Sequence, residues 1–106
     1  MTLVTRHLSE ARLDAALKAL ASVQRREIVR YLSSCAAAAD TTCCAADEVC
    51  ACKLSERFGL AASTISHHMA LLRDAGLVRA RRAGTWVYYR VDRDALRAVA
   101  DALAEL

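Results

Sequence analysis

KLSERFGLAASTISHHMALLRDAGL, residues 53–77, is the stretch that decides the fold of this chain. Leu54 and Phe58 stand one helical turn apart, and Gly59 after them can adopt the left-handed conformation that ends a helix. A second apolar stripe at helical spacing follows and is closed by another glycine; its members are Ile65, Met69 and Leu72. These features predict two short helices joined by a tight turn, the pattern of a DNA-binding helix-turn-helix.

Two amphipathic helices and the start of a third are predicted before this stretch. The first helix runs over Leu8–Ala21 with Ser9 as its N-cap, and the second begins after the N-cap Ser22. Residues 35–47 break the helical periodicity and predict a loop or a frayed helix end. The third helix, which leads into the quoted stretch, is predicted to start near Val49–Cys50.

After the quoted stretch the pattern changes from helical to extended. Leu77–Arg82 predicts a short strand, Ala83–Gly84 a turn, and Thr85–Val91 a second strand that is rich in β-branched and aromatic residues. Asp92 is the predicted N-cap of a last helix. A two-stranded hairpin after a helix-turn-helix is a wing. The predicted architecture is therefore mainly α with a small β-hairpin, in the order ααααββα, as one winged helix-turn-helix domain over residues 1–106.

Composition and charge limit the class of protein. A chain of 106 residues is long enough for one small domain. It has no apolar run of membrane-spanning length and no signal-peptide pattern, so a soluble cytoplasmic protein is expected. The net charge of +3 indicates no partner by itself. Between residues 73 and 93, however, six arginines stand against two aspartates and form a local basic patch.

Polar side chains of the second helix of the pair, together with arginines of the wing, are the predicted DNA contacts. Short hydroxyls and a histidine near a helix N-terminus can reach base edges and phosphates, and arginines beside a wing turn can reach phosphates or the minor groove. The candidates are Ser63, Thr64, Ser66, His67, Arg81 and Arg82. An ordinary solvated face is the alternative. Arg79 and Arg90 could instead pair with acids of the domain, and His68, beside the buried stripe, is expected to be structural.

Two apolar helix faces at the ends of the chain predict a homodimer. A domain of this size does not readily bury both faces by itself, so we expect them to meet a second copy. The predicted interface consists of Leu13, Leu17 and Leu20 from the first helix and of Leu96, Val99 and Leu103 from the last.

Residues Cys50–Val91 resemble the ArsR/SmtB family of winged-helix metalloregulatory repressors, and in particular its arsenic-responsive members. The matching segments are VCACKLSERF, STISHHMALLRDAGLV and RRAGTWVYYRV, and ALASVQRREIVRYL upstream looks like the second helix of the family. The resemblance implies a homodimer on palindromic double-stranded operator DNA that is released when a metal or metalloid binds. It implies no enzymatic activity.

Four of the five cysteines lie within ten residues, at Cys43, Cys44, Cys50 and Cys52. In a reducing compartment such a cluster indicates metal or redox chemistry before structural disulfides. The sequence Cys50-Ala51-Cys52 resembles the CVC motif that opens the third helix in the family. In arsenic-responsive members a further cysteine follows three residues later, and that position is Ser55 here. Cys43 or Cys44 is therefore the candidate for a third ligand.

The chemistry of thiolates selects soft ions for this cluster. As(III), Sb(III), Hg(II), Cd(II), Pb(II) and Zn(II) are candidates, and a trigonal site of three sulfurs suits As(III) best. On a regular helix Cys50 and Cys52 would diverge by about 200°. Both can bind one ion only if the helix start unwinds or is irregular. Binding that distorts this helix is predicted to lower DNA affinity, so the expected function is a repressor released by As(III) or Sb(III).

Several alternatives remain open from the sequence. The same cysteines could sense Cd(II), Pb(II) or Hg(II), or all four could close a structural zinc site. A redox sensor could bridge Cys43 or Cys44 to Cys50 or Cys52. A small thiol enzyme lacks support because the chain has no CxxC motif and no cofactor loop. The last helix has no histidine, which argues against a zinc or nickel site there, and Cys35 is interpreted as a small buried apolar residue.

Overall fold

A computed structural model describes residues 8–35 and 48–106 of the chain. Within these ranges the elements follow the order ααβααββα. The helices are α1 (Glu10–Leu20), α2 (Val23–Cys35), α3 (Ala51–Phe58), α4 (Ala62–Asp74) and α5 (Arg93–Ala104). The strands are β1 (Val49–Cys50), β2 (Val78–Ala83) and β3 (Trp86–Val91). None of the helices in these two ranges is both long and apolar enough to cross a bilayer.

Three of the five helices within the described residues start with the side-chain caps that the sequence predicted. The N–H of Arg12 donates to Ser9 Oγ at 3.2 Å before α1. The N–H of Arg25 donates to Ser22 Oγ at 3.2 Å before α2. Before α5, Asp92 Oδ1 accepts from the N–H of Ala95 at 3.0 Å. Each cap satisfies an N–H group that has no partner inside its own helix.

The three strands form one antiparallel sheet in the order β1-β3-β2. The predicted wing hairpin is present, but its turn lies one residue later than predicted, because Ala83 pairs with Trp86 and leaves Gly84–Thr85 as the loop. Gly84 has φ +64°, the conformation that a glycine adopts most easily at the start of a two-residue hairpin loop.

The first strand of the sheet, β1, was not predicted. We expected the third helix to start near Val49–Cys50, whereas these two residues are extended and pair with Tyr89 and Tyr88 of β3. Two residues are too short to show the alternation of polar and apolar side chains that reveals a strand in a sequence. β1 is extended because its backbone pairs with β3 at the edge of the hairpin.

The core is assembled from every helix and from the sheet. The apolar stripe predicted on the second helix of the pair is confirmed, because Ile65, Met69 and Leu72 of α4 are buried. They pack with the buried side chains of neighbouring elements, among them Ile28, Leu32, Leu54, Leu77 and Val78. The two helices of the pair are therefore held together by burial.

The predicted dimer face is only partly at the surface. Leu13 and Val99 have 8% and 6% of their surface exposed and belong to the core of the single chain, so they have little surface left for a partner. α1 and α5 contact each other, so one chain buries part of both faces, and the dimer interface stays a prediction. Leu17 and Leu103, each 41% exposed, remain on the surface, and Leu20 and Leu96 are half-buried.

Candidate DNA interface and thiol site

The turn between α3 and α4 is closed by a glycine and a serine. Gly59 has φ +64°, and its N–H donates to the carbonyl of Ser55. The N–H of Leu60 donates to the same carbonyl at 3.2 Å. The hydroxyl of Ser55 donates in return to the carbonyl of Leu60. The serine that stands where arsenic-responsive members of the resembled family have a cysteine is therefore part of the turn that joins the two helices.

The outer face of α4 presents the predicted DNA-contacting side chains together. Ser63, Ser66 and His67 are exposed and Thr64 is half-buried, on the side away from the buried stripe. The N-cap residue Ala61 has no side-chain oxygen, so α4 starts without a side-chain cap. Uncapped N–H groups at a helix start attract anions such as phosphates. The helix thus combines polar side chains and an uncapped N-terminus at one end.

The arginines of the wing have different surroundings. Arg82 is exposed on β2. Arg79 pairs with Asp92, with 2.9 Å between its Nη2 and Oδ2, which confirms the predicted pairing with an acid of the domain. Arg81, for which a DNA contact stays a prediction, binds Glu48, with Nε 2.9 Å from Oε2 and Nη2 2.7 Å from Oε1. No local pattern predicts this pair, since the two residues are far apart along the chain.

The thiols of Cys50 and Cys52 converge. Cys50 is both the last residue of β1 and the N-cap of α3, with φ −76° and ψ 153°, and it is 1% exposed. Cys52 lies in the first turn of α3 and is exposed. Their sulfur atoms are 2.8 Å apart. The divergence predicted for a regular helix does not occur, because the helix begins only after Cys50.

The donor set of this pair fits a soft ion. Two thiolates that bind one Zn²⁺ at about 2.3 Å in a tetrahedral site stand about 3.8 Å apart, so the two adjacent sulfurs are near enough to share one ion. In the described part of the chain no group of three histidine, cysteine, aspartate or glutamate side chains is close enough to hold a metal. Cys43 and Cys44, the candidates for further ligands, lie outside the described residues, as does the side chain of Cys35.

His68 connects α4 to α2, as the structural role predicted for it requires. Its Nδ1 is 3.2 Å from Nη1 of Arg25, whose Nε donates to the carbonyl of Ala19 at 2.6 Å. Burial, and to a smaller extent the charges of Arg25 and His67, lower the pKa of His68 below its ordinary value of 6.5. The side chain therefore favours the neutral form and belongs to the packing of the domain.

These features define a class of protein. Two helices joined by a tight turn, an α4 with an outer polar face and a wing that carries arginines make a winged helix-turn-helix protein of the DNA-binding type. The model of the bacterial regulatory protein arsR family matches residues 22–80, more than half of the chain. The chain belongs to this family, which consists of DNA-binding transcriptional regulators and not of enzymes.

Individual relatives and solved structures agree with this assignment. The arsenical resistance operon repressor of Bacillus subtilis is 36% identical over 72 residues, which are 68% of this chain and 58% of that protein. A crystal structure of an ArsR family transcriptional regulator has a TM-score of 0.74 at 22% identity, covers 94% of this chain and 91% of its own, and shows the shared fold.

A second solved structure is a homodimer. The solution structure of a winged helix-turn-helix domain from Mycobacterium bovis, a possible ArsR-family transcriptional regulator, is homodimeric and has a TM-score of 0.66 at 25% identity. It covers 96% of this chain and 88% of its own. The chain spans only between 34% and 65% of the length of four curated relatives.

Proposed function

We propose that this protein is a transcriptional repressor that binds operator DNA as a homodimer and is released when As(III) or Sb(III) binds its clustered thiolates. The observation that carries the proposal is the 2.8 Å separation of the Cys50 and Cys52 sulfur atoms at the start of α3. Because α3 is the first helix of the helix-turn-helix, a ligand at these thiols acts directly beside the DNA-reading helix.

DNA is read by α4 and by the wing in this proposal. Ser63, Ser66 and His67 reach base edges and phosphates from α4, Thr64 supports them, and Arg82 contacts the backbone or the minor groove from β2. A homodimer places two copies of α4 on successive turns of a palindromic operator. The exposed Leu17 and Leu103 and the half-buried Leu20 and Leu96 supply apolar surface of the two terminal helices for this association.

The inducer is held by thiolates of different exposure. Cys52 is exposed and meets the ligand first, whereas Cys50 is buried and anchored in the sheet. A third thiolate from Cys43 or Cys44 completes the trigonal sulfur set that suits As(III). The relative from Bacillus subtilis, an arsenical resistance operon repressor, supports the choice of metalloid.

The test is operator binding with and without arsenite. Fluorescence anisotropy on the DNA that adjoins the protein's own coding sequence should show an affinity at least about tenfold lower in arsenite, within the usual range of coupling between two sites. Cys50→Ser and Cys52→Ser should keep DNA binding and lose release. Cys35→Ala, which changes the cysteine outside the cluster, should behave as the unmodified protein. DNA affinity that is unchanged by arsenite in the unmodified protein would contradict the proposal.

The same titration separates the possible inducers. Release by Cd(II), Pb(II) or Hg(II) without release by arsenite would assign the thiols to those ions. Release by peroxide alone, reversed by a reducing agent, would assign a redox sensor. Zn(II) that binds without releasing DNA would indicate a structural site.

A further inference from the structure

The strand order β1-β3-β2 places side chains of β1, which carries Cys50, in one row with side chains of the wing. In the antiparallel register, Cys50 of β1 and Arg81 of β2 are both cross-strand partners of Tyr88 in β3. Directly paired residues of neighbouring strands project from the same face of a sheet. A thiol, a phenol ring and a guanidinium group therefore lie side by side across the three strands.

Glu48, which directly precedes β1, extends this row. Its carboxylate accepts two hydrogen bonds from Arg81, at 2.9 Å from Nε and 2.7 Å from Nη2. The guanidinium group of Arg81 also lies 4.6 Å above the centre of the Tyr88 ring. Glu48 is only 8% exposed, and a two-pronged, charge-assisted bond in such surroundings is strong and has a fixed geometry. We call Glu48, Arg81 and Tyr88 the clamp.

We propose that Glu48 is a positioning residue that couples the thiol site to the wing. Glu48 stands two residues before Cys50, and through Arg81 it holds β1 to β2 across the intervening β3. This inference rests on the proposed function and deepens it, because it gives the thiols a second route to the DNA besides α3. A ligand that moves Cys50 pulls on the clamp, and the clamp moves β2 together with its arginines.

The physical reason is the shortness of β1. The strand contributes only two residues to the sheet, and the backbone pairs of Val49 and Cys50 connect it to β3 alone. Among the ion pairs of residues 8–35 and 48–106, the Glu48–Arg81 pair connects the start of β1 to β2. If Glu48 loses its charge, β1 can move when the ligand binds without moving the wing.

A matched control lies on the same strand. Arg79 of β2 pairs with Asp92 at 2.9 Å, so it also carries a wing ion pair, but this pair joins the wing to the start of α5. Glu48→Gln and Arg79→Gln each weaken one ion pair of the wing. Only Glu48→Gln affects the link to the thiol strand.

The first measurement uses the single tryptophan of the chain, Trp86, which begins β3 at the tip of the wing. Its emission is recorded in the full-length protein without DNA while arsenite or Cd(II) is added, and binding is confirmed by protection of the thiols from a thiol reagent. The unmodified protein and Arg79→Gln should change their emission on loading. Glu48→Gln should lose at least about half of the change, as expected if it carries the coupling.

The second measurement is the ratio of operator affinities without and with the same ligand. This ratio is formed within each variant, so a change in basal affinity cancels. We expect Glu48→Gln to reduce it to about a third or less of the unmodified value, and Arg79→Gln to retain it. If Glu48→Gln does not fold, Arg81→Lys replaces it, because lysine keeps the positive charge and cannot form the bidentate hydrogen bonds.

The outcomes separate the two proposals. A change in Trp86 emission that Glu48→Gln diminishes, without release from DNA, would leave the clamp standing and overturn the proposed function. A change that is undiminished in Glu48→Gln would overturn the clamp. Release without a change in Trp86 emission, or release that is undiminished in Glu48→Gln, would overturn the clamp and leave the proposed function standing. If neither arsenite nor Cd(II) protects the thiols, both are wrong.

Discussion

The helices at the ends of the fold and the two helices of the helix-turn-helix start in different ways. α1 and α5 are closed by the side-chain caps of Ser9 and Asp92. α3 and α4 follow Cys50 and Ala61, neither of which makes a side-chain cap hydrogen bond. An uncapped helix start costs stability but leaves N–H groups available to an anion. Side-chain caps therefore stabilise the starts of α1 and α5, whereas α3 and α4 depend on other contacts for their stability.

Burial, and not side-chain capping, stabilises α3 and α4. Leu54 of α3 and Met69 of α4 are completely buried in the shared core. Substitutions in the core, at the caps and at a contact between helices separate the contributions of burial and capping.

Leu54→Ala should have the largest effect. It should lower the free energy of unfolding by about 2–5 kcal/mol, since it removes a fully buried side chain and leaves a cavity. Urea unfolding followed by circular dichroism measures the change. Leu71→Ala, on the exposed side of α4, should cost clearly less. Equal losses for the two variants would mean that burial is not what holds the uncapped pair.

Asp92→Ala should lower the free energy of unfolding by about 1–2 kcal/mol, because it removes the cap of α5 and the partner of Arg79. Burial by itself would raise the pKa of Asp92, but the N–H of Ala95 and the Arg79 guanidinium outweigh it and bring the pKa below the ordinary 3.8.

A lowered pKa fixes the pH dependence of the Asp92 contribution. The stabilisation is complete above about pH 4, the ordinary range of an unfolded aspartate, and is lost as the pH falls through the lower pKa of the folded state. The difference in stability between the unmodified protein and Asp92→Ala should therefore shrink from pH 6 to pH 3. A difference that stays constant over this range would refute the assignment.

Ala61→Ser and Ala61→Asp test the uncapped start of α4. Each supplies a cap and should raise the free energy of unfolding by about 0.5–2 kcal/mol. Aspartate also adds a negative charge beside the proposed DNA contacts of α4, so it should weaken operator binding more than serine does, most strongly at low salt. If the two variants bind DNA equally well, the start of α4 does not face a phosphate.

Substitution of His68 should have the smallest effect on the free energy of unfolding. Its pKa is lowered by burial first and then by Arg25 and His67, so the unfolded chain binds the proton more readily. Stability contributed here is complete above about pH 6.5 and is lost as the pH falls through the lower folded-state pKa. His68→Gln should therefore reduce the loss of stability between pH 7.5 and pH 5.5. His67→Gln, a change in the exposed neighbour, is the control and should keep most of that loss.

Patterns within a few residues were enough to predict most of the fold. The caps at Ser9, Ser22 and Asp92 and the left-handed Gly59 were predicted because each depends on a side chain or a backbone angle beside it. The wing turn was displaced by one residue, since the register of a hairpin is set jointly by both strands. The strand β1 was missed because two residues show no period.

Local spacing and residue type are enough to predict the helix pair, its buried stripe, the wing and the closeness of the cysteines along the chain. Three features became visible only in the folded chain: the Cys50 and Cys52 sulfurs converge, Glu48 binds Arg81, and Leu13 and Val99 are buried. These depend on which strand pairs with which and on which helices touch. Such contacts join residues far apart in the chain, and local periodicity carries no information about them.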